Sequence, residues 1–323
     1  MSNANVSRLG SVNQANASDT LFLKVFSGEV LNSYNTNNVM RERVRTRKIS
    51  SGKSAQFPAI GKIAAQYHTP GAEILGSDVN HNEVVITIDQ MLISSAFVAN
   101  IDEAMNHYDV RSEYSKQMGQ ALAKTFDRQL LSMAVKGTVT GATKAANVAD
   151  GFAGTYHASG AEGSAAQVTD ALFAAAAKFD EQDIPTEGRY TVVAPDLYYK
   201  LVAEAGDVLN RDFSSNNGDV AGGTIMKIAG FEIVKSNNLS VNHASSTSGF
   251  PKSASDKYEV DATNCLAMCL HRDSLGIVQL MDMATESQYD MRRQGTLMVS
   301  KMAVGAGILR PESIFGIWKA AAS

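Results

Sequence analysis

The chain has 323 residues, 44% of them hydrophobic and 19% charged, with a formal net charge of −4. This composition excludes a disordered chain and allows one elaborated domain, or two interlocked ones, around a sizeable core. No stretch approaches the roughly 18 apolar residues that span a bilayer, and Met1 to Val6 lack the basic start and apolar core of a signal peptide, so folding in a cytoplasm is expected.

Residues 1–18 are rich in Asn, Ser and Ala and predict a mobile arm. Leu21, Val25, Val30 and Leu31 have the spacing of a short amphipathic helix, interrupted at Gly28. Residues 1–39 set Arg8 and Lys24 against Asp19 and Glu29, so they form no cationic arm to neutralise phosphates. If the chain surrounds nucleic acid, it does so as an inert wall.

Residues 39–67 read as extended. Arg41, Arg43, Arg45 and Arg47 alternate with Glu42, Val44 and Thr46, and a period of two places all four arginines on one side of a strand. Ser50 to Ser54 supply a bend. A strand resumes over 55–60, where Pro58 confines it to an edge, and a second strand covers 84–89. Together they form a long two-stranded excursion. An isolated hairpin is marginal in water, so this one is expected to lie on another molecule.

Asn100 is the predicted N-cap of a helix, with Asp102 and Glu103 suited to its positive end. Apolar residues from Ile101 through Met105, Tyr108, Met118, Leu122, Phe126 and Leu130 to Met133 keep a helical spacing. The helix predicted over 100–136 would be roughly 54 Å long, more than a compact domain needs. Its stripe thins at Ser112 and Ser115, which places part of this face near solvent or a partner. Gly119 marks a point of interruption. Small and polar residues fill 137–167. A helix is predicted over 168–181, a strand over 190–194, and a helix from Pro195 to about residue 205. A hairpin follows over 224–228 and 230–234, then strands over 265–271, 276–281 and 295–306.

Chemical motifs are weak. Cys265 and Cys269, the two cysteines of the chain, would share one face of a strand about 13 Å apart; they read as buried, reduced thiols and not as a zinc site. Gly52-Lys53-Ser54 resembles the end of a phosphate-binding loop, but Arg47 stands where that loop needs glycine. The six histidines are scattered, with no metal-binding spacing. Gly305-Ala306-Gly307 fails as a dinucleotide fingerprint because Arg310 takes the place of the third glycine. The four arginines have three readings: contact with a phosphate backbone, pairing with carboxylates of a neighbouring subunit, or a charged edge strand that deters aggregation. The second is favoured, because like charges on one strand face repel unless something acidic meets them.

Leu21-Phe-Leu-Lys-Val-Phe-Ser-Gly-Glu-Val-Leu31, Ile49-Ser-Ser-Gly-Lys-Ser-Ala-Gln-Phe-Pro58, Val85-Ile-Thr-Ile-Asp89 and Ile101-Asp-Glu-Ala-Met-Asn-His-Tyr-Asp-Val-Arg-Ser-Glu-Tyr114 resemble the major capsid proteins of short-tailed, podovirus-type phages. Gly307-Ile-Leu-Arg-Pro-Glu312 is similar as well. The resemblance implies an α+β, HK-97-like capsid fold. Residues 1–40 would be the N-terminal arm, 41–90 the extended loop, 91–136 the peripheral domain with its spine helix, 137–265 the axial domain, and 266–323 a return to the peripheral domain. It further implies no catalytic residue, metal or cofactor. The implied function is self-assembly, through hexamers and pentamers, into an icosahedral shell. The implied partners are other copies, a scaffolding protein, a portal or connector, and packaged double-stranded DNA bound without sequence specificity, with no membrane. Assembly would occur in the host bacterial cytoplasm and the product would be the virion capsid. Arg41, Arg43, Arg45 and Arg47 are the expected assembly contacts, with Asp102 and Glu103 of a neighbour as candidate partners. An encapsulin-like compartment of the same fold and a nucleotide-dependent enzyme are the competing readings.

Overall fold

The computed structural model describes residues 30, 32–34, 38–60, 65, 67–69, 71, 73, 76, 81–101, 110–139, 155–158, 165–204, 218–219, 224–225, 227–241 and 257–319. The expected arm over 1–18, most of the helix expected near residues 21–31, and Asp102 and Glu103 of the expected long helix lie outside these residues.

In chain order, a 3₁₀ turn (Arg41–Arg43) leads into β1 (Arg45–Lys48). β2 (Ser54–Ile60) and β3 (His81–Thr87) pair as an antiparallel ribbon, and β4 (Leu92–Ala99) precedes the long helix α1 (Val110–Val139). Then come β5 (Thr155–Ala158), α2 (Ala165–Glu181), β6 (Arg189–Val193) and α3 (Pro195–Glu204). The short strands β7 (Gly218–Asp219), β8 (Thr224–Ile225) and β9 (Lys227–Ile228) lead to β10 (Phe231–Lys235) and β11 (Cys265–His271). The chain ends with the long pair β12 (Leu275–Asp290) and β13 (Gly295–Ile308), a 3₁₀ turn (Pro311–Ser313) and β14 (Ile314–Trp318).

Two sheets organise these elements. One has the order β1-β12-β13-β4, and the other the order β5-β14-β11-β6-β10-β9. Strands β6, β11 and β14 are buried along their whole length. Their near-continuous apolar runs fit a sheet covered on both faces. One face meets α1 and the four-stranded sheet through Tyr190, Val192, Met268, Leu270, Ile314 and Trp318. The other meets α2 and α3 through Val193, Ala267, Cys269, Phe315 and Ile317.

The six-stranded sheet runs across residue 265, the boundary expected between 137–265 and 266–323. β11 begins at Cys265 and lies between β6 and β14, and β14 returns to the same sheet after β12 and β13 have crossed to the other. Seven consecutive buried residues in β11 leave it no solvent-facing side, so it needs cover from both helices and core. A bulge between Cys265 and Ala267 also separates the cysteines. Cys265 packs with α1's core and Cys269 with the core under α2, not on one face as a regular strand would place them. Both thiols are buried and free, as expected.

α1 is continuous through its described 30 residues, about 45 Å. It runs three residues past the expected end at Lys136. Met118, Leu122, Phe126, Leu130 and Met133 are buried, following the spacing read from the sequence. Gly119 does not interrupt it. A Cβ there would lie 2.6 Å from the Val30 carbonyl oxygen and 2.9 Å from Ser33 Cβ, so glycine lets the segment around residues 30–34 lie directly on the helix. That segment also covers the point where the stripe thins: Ser33 Oγ donates to the Lys116 carbonyl at 2.8 Å, and Ser115 is buried instead of near solvent.

Candidate functional site

The four arginines do not share one strand face. Arg41 and Arg43 belong to the 3₁₀ turn, and only Arg45 and Arg47 lie on β1. Met40 and Val44, which flank this turn, are both buried. Asp127 on α1 fixes the turn. Its carboxylate accepts the Val39 N–H at 3.0 Å and the Met40 N–H at 3.2 Å, while Asn38 Oδ1 accepts the Arg41 N–H at 2.7 Å. Burial pushes the Asp127 carboxyl up to about 6, against the downward pull of the two backbone donors.

From this turn the arginines diverge. Arg43 donates to Glu232 on β10 and to the Val39 carbonyl, which ties the turn to the six-stranded sheet. Arg47 donates to the Gln56 carbonyl and lies over the Phe57 ring at 5.7 Å, which ties β1 to the ribbon. Arg41 lies over the Tyr34 ring at 5.4 Å and 3.9 Å from Asp282. Lys48 meets the same carboxylate at 2.9 Å, and its hydrogen bond holds Asp282 below the usual carboxylate range. Arg45 is exposed on β1. Asp102 and Glu103, their expected partners on a neighbour, lie outside the described residues.

The stem of the β2–β3 ribbon is seated on its own chain. Ala55, Phe57, Ile86 and Val278 form a buried cluster with Leu309 packed against it. Glycines pave the seat. A Cβ on Gly305 would stand 2.2 Å from the Thr87 carbonyl oxygen, and one on Gly307 would stand 2.8 Å from Ile86 Cγ1. Residues two apart share a strand face, and glycine in a strand marks a close backbone approach. The Gly305-Ala306-Gly307 sequence thus carries a packing role in place of a nucleotide fingerprint. Pro58 sits opposite Glu83 at the ribbon's pairing, where its missing N–H is tolerated at an edge.

The base of the ribbon is latched by groups the sequence reading missed. Tyr258 Oη donates to Asp89 and accepts the Ala306 N–H at 3.1 Å. Lys257 Nζ lies 3.7 Å from Asp89 and donates to the Thr87 carbonyl at 3.1 Å. Lys136, near the end of α1, donates to the Lys257 carbonyl at 3.3 Å. Burial lowers the Lys257 ammonium, and the neighbouring Asp89 raises it. A hint lay in Asp89 itself, which closes one of the strings that carry the resemblance. Ser50 to Ser54 form a bend leading into β2, and the Lys53 carbonyl accepts the Ile88 N–H at 2.8 Å. Among the described residues no group of His, Cys, Asp and Glu can hold a metal, and no helix is long and apolar enough to cross a membrane.

What the arrangement offers is attachment: an open strand edge bearing arginines, a ribbon leaving a glycine-paved seat, and a long helix as support. The Gp10A-like major capsid protein family matches residues 56–317. The chain is 34% identical over 314 residues to the major capsid protein of Escherichia phage T7, spanning 91% of this chain and 90% of that one. The capsid protein of Cyanophage P-SCSP1u is 38% identical, with a TM-score of 0.73 over 100% of both chains. The mature capsid of bacteriophage PhiM1 shares the fold at 22% identity, with a TM-score of 0.71 over 87% of both. The α+β fold is that of HK-97-like phage capsids.

Proposed function

The chain belongs to the Gp10A-like major capsid protein family, whose members form the capsid shell of tailed phages, and from that premise we propose how its copies are joined and what they enclose. Copies assemble through hexamers and pentamers into an icosahedral shell around double-stranded DNA. The net charge of −4 supports a wall that contains DNA and does not condense it. A scaffolding protein and a portal or connector take part, and assembly takes place in the host bacterial cytoplasm. The chain has no catalytic role of its own. The observation that carries this reading is the likeness to the P-SCSP1u capsid chain along the full length of both.

Within the shell, the arginines of 41–47 meet acidic groups of a neighbouring copy, with Asp102 and Glu103 as candidates. Arg43 and Arg47 serve chiefly to brace the segment, since each is bonded within its own chain. Arg45 is the member most available to a neighbour. Exposed ion pairs are worth about 0–1 kcal/mol each. Repetition over a closed lattice makes such contacts sufficient, because several neighbours hold every subunit. Replacing Arg41 and Arg45 together with Glu is expected to suppress shells, seen by electron microscopy, while free subunits keep a wild-type circular dichroism spectrum. Normal shells from that variant would remove these arginines from the interface.

A further inference from the structure

The end of the four-stranded sheet brings Arg45 beside an arginine that lies far away in sequence. β1 and β12 run parallel, with Arg45 opposite Gly276, so the segments leading into both strands meet at one end of the sheet. The 3₁₀ turn Arg41–Arg43 leads into β1, and the turn closed by Ser274 N–H on the His271 carbonyl leads into β12. Between them lies a recess of about 720 Å³ lined by Arg41, Glu42, Arg45, Thr46, Arg272 and Asp273. Arg45 and Arg272 are both exposed, and neither guanidinium has an ion pair among the described residues.

Two features decide what fits. The lining carries both signs, since Glu42 and Asp273 share it with the arginines. Those carboxylates repel a uniformly anionic phosphate backbone, whereas a protein segment carries charge at chosen points. The recess also adjoins an open edge. Among the described residues β1 ends its sheet and pairs only with β12, so its outer backbone groups can meet an added segment. A shell protein always has such a segment at hand in another copy of itself.

We propose that this recess receives a carboxylate-bearing segment of a second copy of the chain, anchored by Arg45 and Arg272. The proposal rests on the shell reading and adds to it Arg272, which lies outside the 41–47 run. Arginine-selective labelling with phenylglyoxal, read by mass spectrometry on free subunits and on closed particles, tests it. Arg45 and Arg272 should label readily in free subunits and at least about tenfold more slowly in particles, because a reagent reaches a covered group only when the contact opens. Protection should be equal in DNA-filled and empty particles. Protection confined to filled particles would make the occupant nucleic acid and overturn the proposal. Particles in which Arg272 labels as fast as in free subunits would overturn it alone, leaving the shell reading intact. If the wild-type chain forms no particles, both fall.

Discussion

Asp127 shows how one side chain sets the local chain path. It is buried on α1 and holds the backbone of Val39 and Met40, and burial raises its carboxyl from 3.8 to about 6. Between those values the folded subunit holds a proton that the unfolded chain has lost. The linkage relation then makes this group's contribution fall as pH rises through about 4 to 6, by about 2–3 kcal/mol in all. Thermal unfolding of free subunits, followed by the fluorescence of Trp318 (the single, buried tryptophan), should show wild type gaining stability relative to Asp127→Asn between pH 7 and pH 5. A difference independent of pH would place the carboxyl outside that window. The signal for a buried Asp127 was present in the sequence, because Ala123, Leu130, Leu131 and Ala134 surround it at helical steps and are all buried. The divergence of the arginines had no such signal, because Met40 and Val44, four residues apart, would share one face of a strand as well. The partners of Arg43 and Arg47, Glu232 and the Gln56 carbonyl, follow from tertiary contacts that local spacing does not encode.

α1 and the ribbon show what a regular element gains from glycine. In an exposed helix interior, Gly→Ala stabilises by about 0.8–1.0 kcal/mol. At position 119 the added methyl meets a backbone carbonyl and Ser33 Cβ, and overpacking typically costs about 1–3 kcal/mol. The second effect wins, so Gly119→Ala should lower the urea midpoint of free subunits and leave the slope unchanged; a raised midpoint would mean that the segment around residues 30–34 yields freely. The elements with strong periodicity were legible: the long helix, the helices at 165–181 and 195–204, the strand pair around Ala229 and Gly230, and the ribbon with its edge proline. Periodicity is a local property, and it did not reveal which sheet each strand joins. β11 and β14 return to the six-stranded sheet because their fully apolar faces need cover on both sides, and the bulge after Cys265 shifts its register in a way alternation cannot show. The ribbon was expected to lie on another molecule. One face of its stem, with Ala55, Phe57 and Ile86, is instead seated on its own chain at Gly305 and Gly307, while Gln56, Glu83 and Val85 on the other face stay exposed.

At the scale of the molecule, the fold makes surfaces that a lone subunit leaves unused. Among the described residues the four-stranded sheet ends in an open strand of exposed charges, and a two-stranded ribbon leaves a glycine-paved seat. Such features persist because a shell repeats each weak contact at every subunit. The family was legible from a few strings in one order, while the recess joining Arg45 to Arg272 was not, since it depends on the parallel pairing of strands more than 200 residues apart. Electron microscopy of the purified chain, produced together with a scaffolding protein, tests the central claim most directly. The account predicts closed icosahedral particles built from hexamers and pentamers of this chain, with no enzyme cargo inside. A stable monomer that hydrolyses nucleotide, or particles that retain an enzyme as cargo, would contradict it.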